Sequence, residues 1–359
     1  MNVMVARRVS GTVGRKPVVL TAVVLLLAAG AAPEVRAAAP DTAQADAAPA
    51  SASGTVSVLQ LVPGTYMLTV DGVNVGVNSG PDGVIVVDTG PASAAPRLLA
   101  AIRNITQQPI RYVIDTSSDA DLIGGDPALV AAGQSLITDP GTLRLVPRNV
   151  ADAHVGRVAP IVATQEVLNR MIQQQGYPSW ALPTEVFDRP EYQFYMNGQA
   201  IAVIRQPAAH SDGDAVVRFE RSDVVVTGDT FDIEHFPVID VAQGGSIQGE
   251  VDAVNQLLNT LVFTSTPIVE DAVGTLVIPV HGPVCNQADV LTYRDMVANV
   301  RNRIEYLIDH GKSLKQVEAA DPTQGYETRY GEGSAATAFV EAAYKSLMAS
   351  RSHGHAAKE

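Results

Sequence analysis

Residues 115–126 read DTSSDADLIGGD and directly follow the apolar, β-branched run IRYVI at 110–114. Such a run predicts a strand, so the loop after it places Asp119 and Asp121 at a strand end. Three other polar positions follow the same rule. His210 comes after QAIAVIRQPA at 199–208, Asp229 closes VVVTGD at 224–229, and His281 follows TLVIPV at 275–280. Side chains at strand ends on one rim converge where a sheet leaves a crevice. Two histidines and three carboxylates there make a mixed nitrogen and oxygen donor set for a metal ion.

Further out, the chain alternates strand and helix signals. VSVLQLVPGTYMLTVDG at 56–72 breaks at Pro63-Gly64 and predicts a hairpin. GVNVGVNSGPDGVIVVDTG at 72–90 repeats the pattern around Pro81-Asp82-Gly83. Helices are predicted at 92–107, 163–175, 246–262, 287–311 and 334–349, with Gly311 as a stop. SLITDP at 135–140 and AVVRFE at 215–220 are further strand candidates. Segment 176–195 holds three prolines, one Trp and five other aromatics, and predicts an irregular excursion at a pocket's edge. Strands meeting helices in this order predict an α/β fold with sheets covered by helices.

Composition sets the bounds. The 359 residues carry 25 Lys plus Arg against 38 Asp plus Glu, a net charge of -13. That excludes a basic nucleic-acid binder, which needs positive charge to replace phosphate counterions. The single cysteine, Cys285, excludes a disulfide framework and reads as a buried core thiol. Residues 1–17 hold Arg7, Arg8, Arg15 and Lys16 and no acid, and VVLTAVVLLLAAGAA follows at 18–32. This run is shorter than an ordinary membrane span and suits a secretory signal, with cleavage after Ala37. The expectation is export to the periplasm or medium, by a route left open, with no stable membrane span after processing. Residues 38–54 read as a disordered linker, 55–349 as the folded domain, and 350–359 as a flexible tail.

The chain resembles the metallo-beta-lactamase superfamily, and within it the secreted metallohydrolases near the quinoprotein-relay-like branch. GVIVVDTG at 83–90, DTSSDADLIGGD at 115–126, AHSDGD at 209–214, VVVTGDTF at 224–231, FPVID at 236–240 and PVHGPV at 279–284 carry the resemblance. It implies a four-layer αββα sandwich, one domain of two related halves, with one pocket at the strand rim. The family's loop reads Thr-His-x-His-x-Asp-His-x-Gly-Gly. Here its three histidines are Ser117, Asp119 and Leu122, while Thr116, Asp121, Gly124 and Gly125 are kept.

The resemblance implies a first metal held by His210 and Asp229, with Asp119 as an oxygen ligand. It implies a second held by Asp121, His281 and Asp229. Asp121 is the catalytic candidate. Three outcomes stand open. The chain could hold one divalent ion, either zinc or a harder ion such as manganese, magnesium, iron or calcium, and hydrolyse an ester, lactone, thioester or amide. It could keep the family's zinc pair. It could instead have lost metal binding and use the pocket for a small molecule or a protein. Without metal, Asp119, Asp121 and Asp229 would crowd one pocket, so one would gain a raised pKa or the loop would splay outward. His154 and His235 are secondary candidates. Oligomeric state is not readable from the sequence.

Overall fold

The computed structural model describes residues 54–136, 158–261 and 274–356. The first sheet opens as an antiparallel meander of β1 (Ser57–Val62), β2 (Thr65–Val70), β3 (Val73–Gly80) and β4 (Gly83–Val87). It continues in parallel through β5 (Ile110–Ile114), β6 (Ile161–Thr164) and β7 (Glu185–Phe187). The parallel step from β4 to β5 needs a crossover, supplied by α1 (Ala95–Ile105). After β5 come the short α2 (Ala120–Ile123) and then α3 (Asp126–Ala132); α4 (Gln165–Gln173) follows β6.

The second sheet pairs β8 (Glu191–Met196), β9 (Gln199–Arg205), β10 (Ala215–Phe219) and β11 (Val224–Val226) antiparallel. Its last strand, β12 (Leu276–Ile278), runs parallel to β11. Between them lies α5 (Ile247–Thr260). The chain closes with α6 (Gln287–Asp309), α7 (Leu314–Ala319), α8 (Glu327–Tyr330) and α9 (Ser334–Ala356).

Alternation along the strands builds the layers. In β4, Val84 and Val86 pack outward with Leu98 and Ile102 of α1. Ile85 and Val87, on the other face, join Ile201, Val203, Val217 and Val226 of the second sheet. In β11, Val225 faces the opposite way, into a cluster with Val254 and Leu257 of α5 and Val297 and Val300 of α6. Period-two alternation with both faces apolar is what a strand buried between helix and sheet requires. The result is the expected α/β sandwich of two mixed sheets flanked by helices.

Two segments differ from expectation, and a third is not described. Segment 176–195 is not irregular throughout: β7 and the start of β8 lie in it. Helix α9 runs on to Ala356, through most of the segment read as a tail. The strand expected at 135–140 lies largely outside the described residues, as do His154 and residues 1–53. Among the described residues, no helix is long and apolar enough to cross a membrane.

Helix α6 starts with a full capping box. The Asn286 side chain accepts from the Ala288 and Asp289 amides, and Asp289 Oδ2 accepts from the Asn286 amide. Asn286→Ala is expected to cost about 1 kcal/mol, checked by urea unfolding; an unchanged midpoint would remove the cap's role.

Candidate metal centre

Two glycines let the loops that carry the site come together. Gly228 has φ +50°, and a Cβ there would sit 2.1 Å from Thr116 Oγ1. Thr116 is therefore gripped between this turn and Asp88, whose carboxylate accepts from the Thr116 amide at 2.9 Å and hydroxyl at 2.8 Å. At Gly249 in the first turns of α5, a Cβ would meet the Ala208 carbonyl at 1.6 Å. The helix start can thus dock on the loop that carries His210. Ser246 donates its amide to the Ala208 and Ala209 carbonyls at 3.1 and 3.0 Å. Arg170 of α4 holds the same loop from the other side, donating to Ser211 Oγ, Asp212 and the Gln243 carbonyl.

These loops bring together Asp119, His210 and Asp229, whose ligand atoms all lie within 4.8 Å of one another. Asp119 caps α2, and Asp229 lies in the 3-10 turn Gly228–Thr230 after β11. His210 Nδ1 is 2.8 Å from the Val238 carbonyl, which can only accept, so Nδ1 carries the proton. Its Nε2 is then the free donor, and it is 3.2 Å from Asp119 Oδ2. That contact is within ion-pair range when Nε2 carries a proton. Nε2 is sealed from solvent with no hydrogen-bond partner, and so is Asp229 Oδ2. A lone pair facing carboxylate oxygens in a buried site is unfavourable unless a proton or a cation lies between them.

Without a cation, a proton takes that place. Burial opposes charge on His210, yet Asp119, Asp229 and Asp214 around it push its pKa up to about 11. Asp119 is held below the usual carboxylate range, chiefly by His210 beside it. Burial pushes Asp229 up to about 7 despite His210 nearby and a hydrogen bond from Ser117, with the negative charge of Asp119 adding to the rise.

His281 lies elsewhere. Its Nδ1 donates to Asp232 Oδ2 at 2.7 Å, and His235 Nδ1 donates to the same oxygen at 2.9 Å. Asp232, His235 and His281 form a second group of candidate ligands. Asp229 and Asp121 reach His281 through their charges, which with Asp232 raise its pKa. Asp121 itself is exposed on the first turn of α2 and belongs to neither group. Leu122, in the third histidine's position, is fully buried with Val73, Val167 and Val280. Sequence reading alone assigns no role to Asp232. Its signal was the Asp232-x-x-His235 spacing three residues beyond Asp229.

Behind the site lies a set of buried acids. Asp126 accepts from Thr89 Oγ1 and Tyr177 Oη, both at 2.8 Å, and lies against Asp115. Burial raises both members of this pair. It also pushes Asp88 up to about 8, against the hydrogen bonds from Thr116. Glu250 goes to about 8 as well, by burial and the charge of Asp214, against the hydrogen bond from Tyr293. Cys285 is the expected buried thiol, pushed up to about 12 by its surroundings.

The sequence profile of the metallo-beta-lactamase superfamily matches residues 68–265, more than half of the chain. The chain belongs to the metallo-beta-lactamase superfamily. Solved structures share the fold at low identity. The stereoselective inverting sec-alkylsulfatase Pisa1 from Pseudomonas sp. is 15% identical, with a TM-score of 0.57 over 81% of this chain and 50% of that one. A double mutant of the sec-alkyl sulfatase PisA1 matches at 15% and 0.56, with the same coverage. The chain thus spans about half the length of these sulfatases. A metallo-beta-lactamase from Pontibacter korlensis is 17% identical, with a TM-score of 0.48 over 68% of this chain and 100% of that one. No curated sequence matches it.

Against the superfamily's loop pattern, the departures fall on one rim. The first group keeps one imidazole, His210, and the carboxylate of Asp229, while Asp119 and Ser117 stand where two imidazoles are missing. The position of Leu122 is given over to packing.

Proposed function

We propose that the protein is an exported metallohydrolase of this superfamily that works with a divalent cation at Asp119, His210 and Asp229. One observation carries the reading. Two buried donor atoms, His210 Nε2 and Asp229 Oδ2, have no hydrogen-bond partner and share one small volume with Asp119. Such orphaned polar atoms are costly unless a ligand satisfies them. With the ion in place of the protons, His210 ligates as the neutral ring, and the two carboxylates supply a charge of -2 that a divalent ion neutralises. Two oxygens and one nitrogen favour a harder ion, such as manganese, iron or magnesium, over the family's nitrogen-rich zinc pair.

Bound there, the ion would polarise a substrate carbonyl and lower the pKa of its water. The protein's part is orientation. The Val238 carbonyl fixes the His210 tautomer, and the Arg170 and α5 contacts fix its loop. Asp119, with 34% of its side chain exposed, forms the solvent side on which a substrate would enter. The substrate class is an ester, lactone, thioester or amide. Export rests on the basic residues 7–16 followed by the apolar run 18–32. Placement near the quinoprotein-relay-like branch rests on the motif order.

Elemental analysis of the full chain purified without chelator tests the proposal. At least one equivalent of divalent metal is expected in the native protein, and it is expected to be missing in Asp119→Asn. Metal-dependent hydrolysis of p-nitrophenyl acetate or a γ-lactone should accompany it. Protein with no metal, whose melting is unmoved by manganese or zinc, would overturn the proposal and leave a non-catalytic ligand-binding pocket.

A further inference from the structure

The second group of candidate ligands is not the one the resemblance implied. The implied partners of His281 were Asp121 and Asp229. Here the ring is turned onto Asp232, and a second imidazole, His235, meets the same carboxylate oxygen. We infer that Asp232, His235 and His281 form a separate site for a borderline transition-metal ion such as zinc, nickel or copper, distinct from the carboxylate-rich site at Asp119.

The loops hold this geometry before any ion arrives. Asp232 Oδ1 accepts from the amides of Glu234 and His235 at 2.8 and 3.0 Å, which aims Oδ2 at the two rings. Asn74 of β3 fixes the His281 turn by donating Nδ2 to the Pro279 and Gly282 carbonyls at 3.0 and 2.9 Å. Its backbone amide adds a bond to the Val280 carbonyl at 2.9 Å. Gly282 lets this turn close on residues 233–234, because a Cβ there would meet Ile233 and Glu234 at 2.8–2.9 Å. The two rings stand edge to face with centroids 5.4 Å apart.

The three donor atoms already lie within 4.8 Å of one another, and an ion would take the place of the Nδ1 protons, which pass to solvent. Ligand atoms about 2.1 Å from a shared tetrahedral ion lie roughly 3.4 Å apart, against the present 2.7 and 2.9 Å from Oδ2 to the two nitrogens. Two imidazoles and one carboxylate are the donor set of mononuclear zinc sites with an open fourth position. The nitrogen content also separates the two sites in preference, softer here and harder at Asp119. His235 completes the set, and its side chain is 56% exposed, so it reaches the ion from the solvent side and can be changed without opening the core.

Zinc titration by calorimetry on the chelator-stripped full chain is the test, with His235→Asn and Asp119→Asn beside the native protein. The expected result is zinc binding of which one equivalent weakens at least tenfold in His235→Asn and persists in Asp119→Asn. Cobalt substitution in place of zinc should give visible d–d absorption that also diminishes in His235→Asn. The inference is overturned if His235→Asn binds zinc like the native protein. It is equally overturned if Asp121→Asn removes the equivalent that involves His281 while His235→Asn does not. Loss of metal only in Asp119→Asn would sink this site and leave the proposed hydrolase standing. Loss only in His235→Asn would do the reverse.

Discussion

His210→Ala is expected to abolish metal retention at the Asp119 site and to bring hydrolysis down to background. The variant removes the only nitrogen donor of that group and leaves two carboxylates, Asp119 and Asp229, facing each other across the gap. Loss of an outer partner of a metal ligand already costs about 10–100-fold in affinity or activity. Loss of the ligand itself should exceed that, on the order of 1000-fold in kcat/KM, or about 4 kcal/mol of transition-state stabilisation. Metal content and kcat/KM, measured with a manganese-supplemented control, check it. Circular dichroism must show a folded chain, because the variant also strips the Val238 carbonyl of its partner. A folded His210→Ala protein that keeps its metal and its rate would remove His210 from the site.

The second large effect is on stability against pH. The buried acids Asp88 and Glu250 have folded pKa values pushed up to about 8 by burial, and the Asp115–Asp126 pair is raised in the same direction. In the unfolded chain such groups ionise near pH 4. The folded state therefore holds protons that the unfolded state has released, and this contribution is complete below about pH 4. It is lost as pH rises towards the folded values near 8. Each group changes the unfolding free energy by about 1.4 kcal/mol per pH unit within that window. The melting temperature of the metal-free protein is expected to fall steadily between pH 5 and 8.5. Asp88→Asn and Glu250→Gln, which copy the protonated forms, should each flatten the slope. A melting temperature that rises over this range would show that the acids are ionised and satisfied in the fold.

The sandwich was legible because burial on both faces leaves a strong mark. Val84 to Val87 are apolar at every position and sort by parity into two cores, and the Pro-Gly and Pro-Asp-Gly turns punctuate the strands. Segment 176–195 was less readable. Its three-residue β7 is too short to show a period, and it is strand because β6 lies beside it, a neighbour 23 residues earlier in its register. In the site, Asp119, His210 and Asp229 could be read from their positions at strand ends. The pairing of His281 could not. It depends on the turn after Asp229 carrying Asp232 round to meet it, and on Asn74, far away in sequence, pinning the His281 loop. The buried acids escaped notice because an aspartate after a strand looks the same in sequence whether solvent or a second carboxyl lies beside it.

Leu122 limits which ligand sets this fold can assemble. Its side chain fills a dry space among Val73, Ile123, Ala163, Val167 and Val280, where the family's pattern has a histidine. A polar ring returned to that space would lose apolar contact and bring donors with nothing to meet them. A histidine at position 122 is therefore disfavoured by its surroundings, and a metal site in this fold has to be assembled around the leucine.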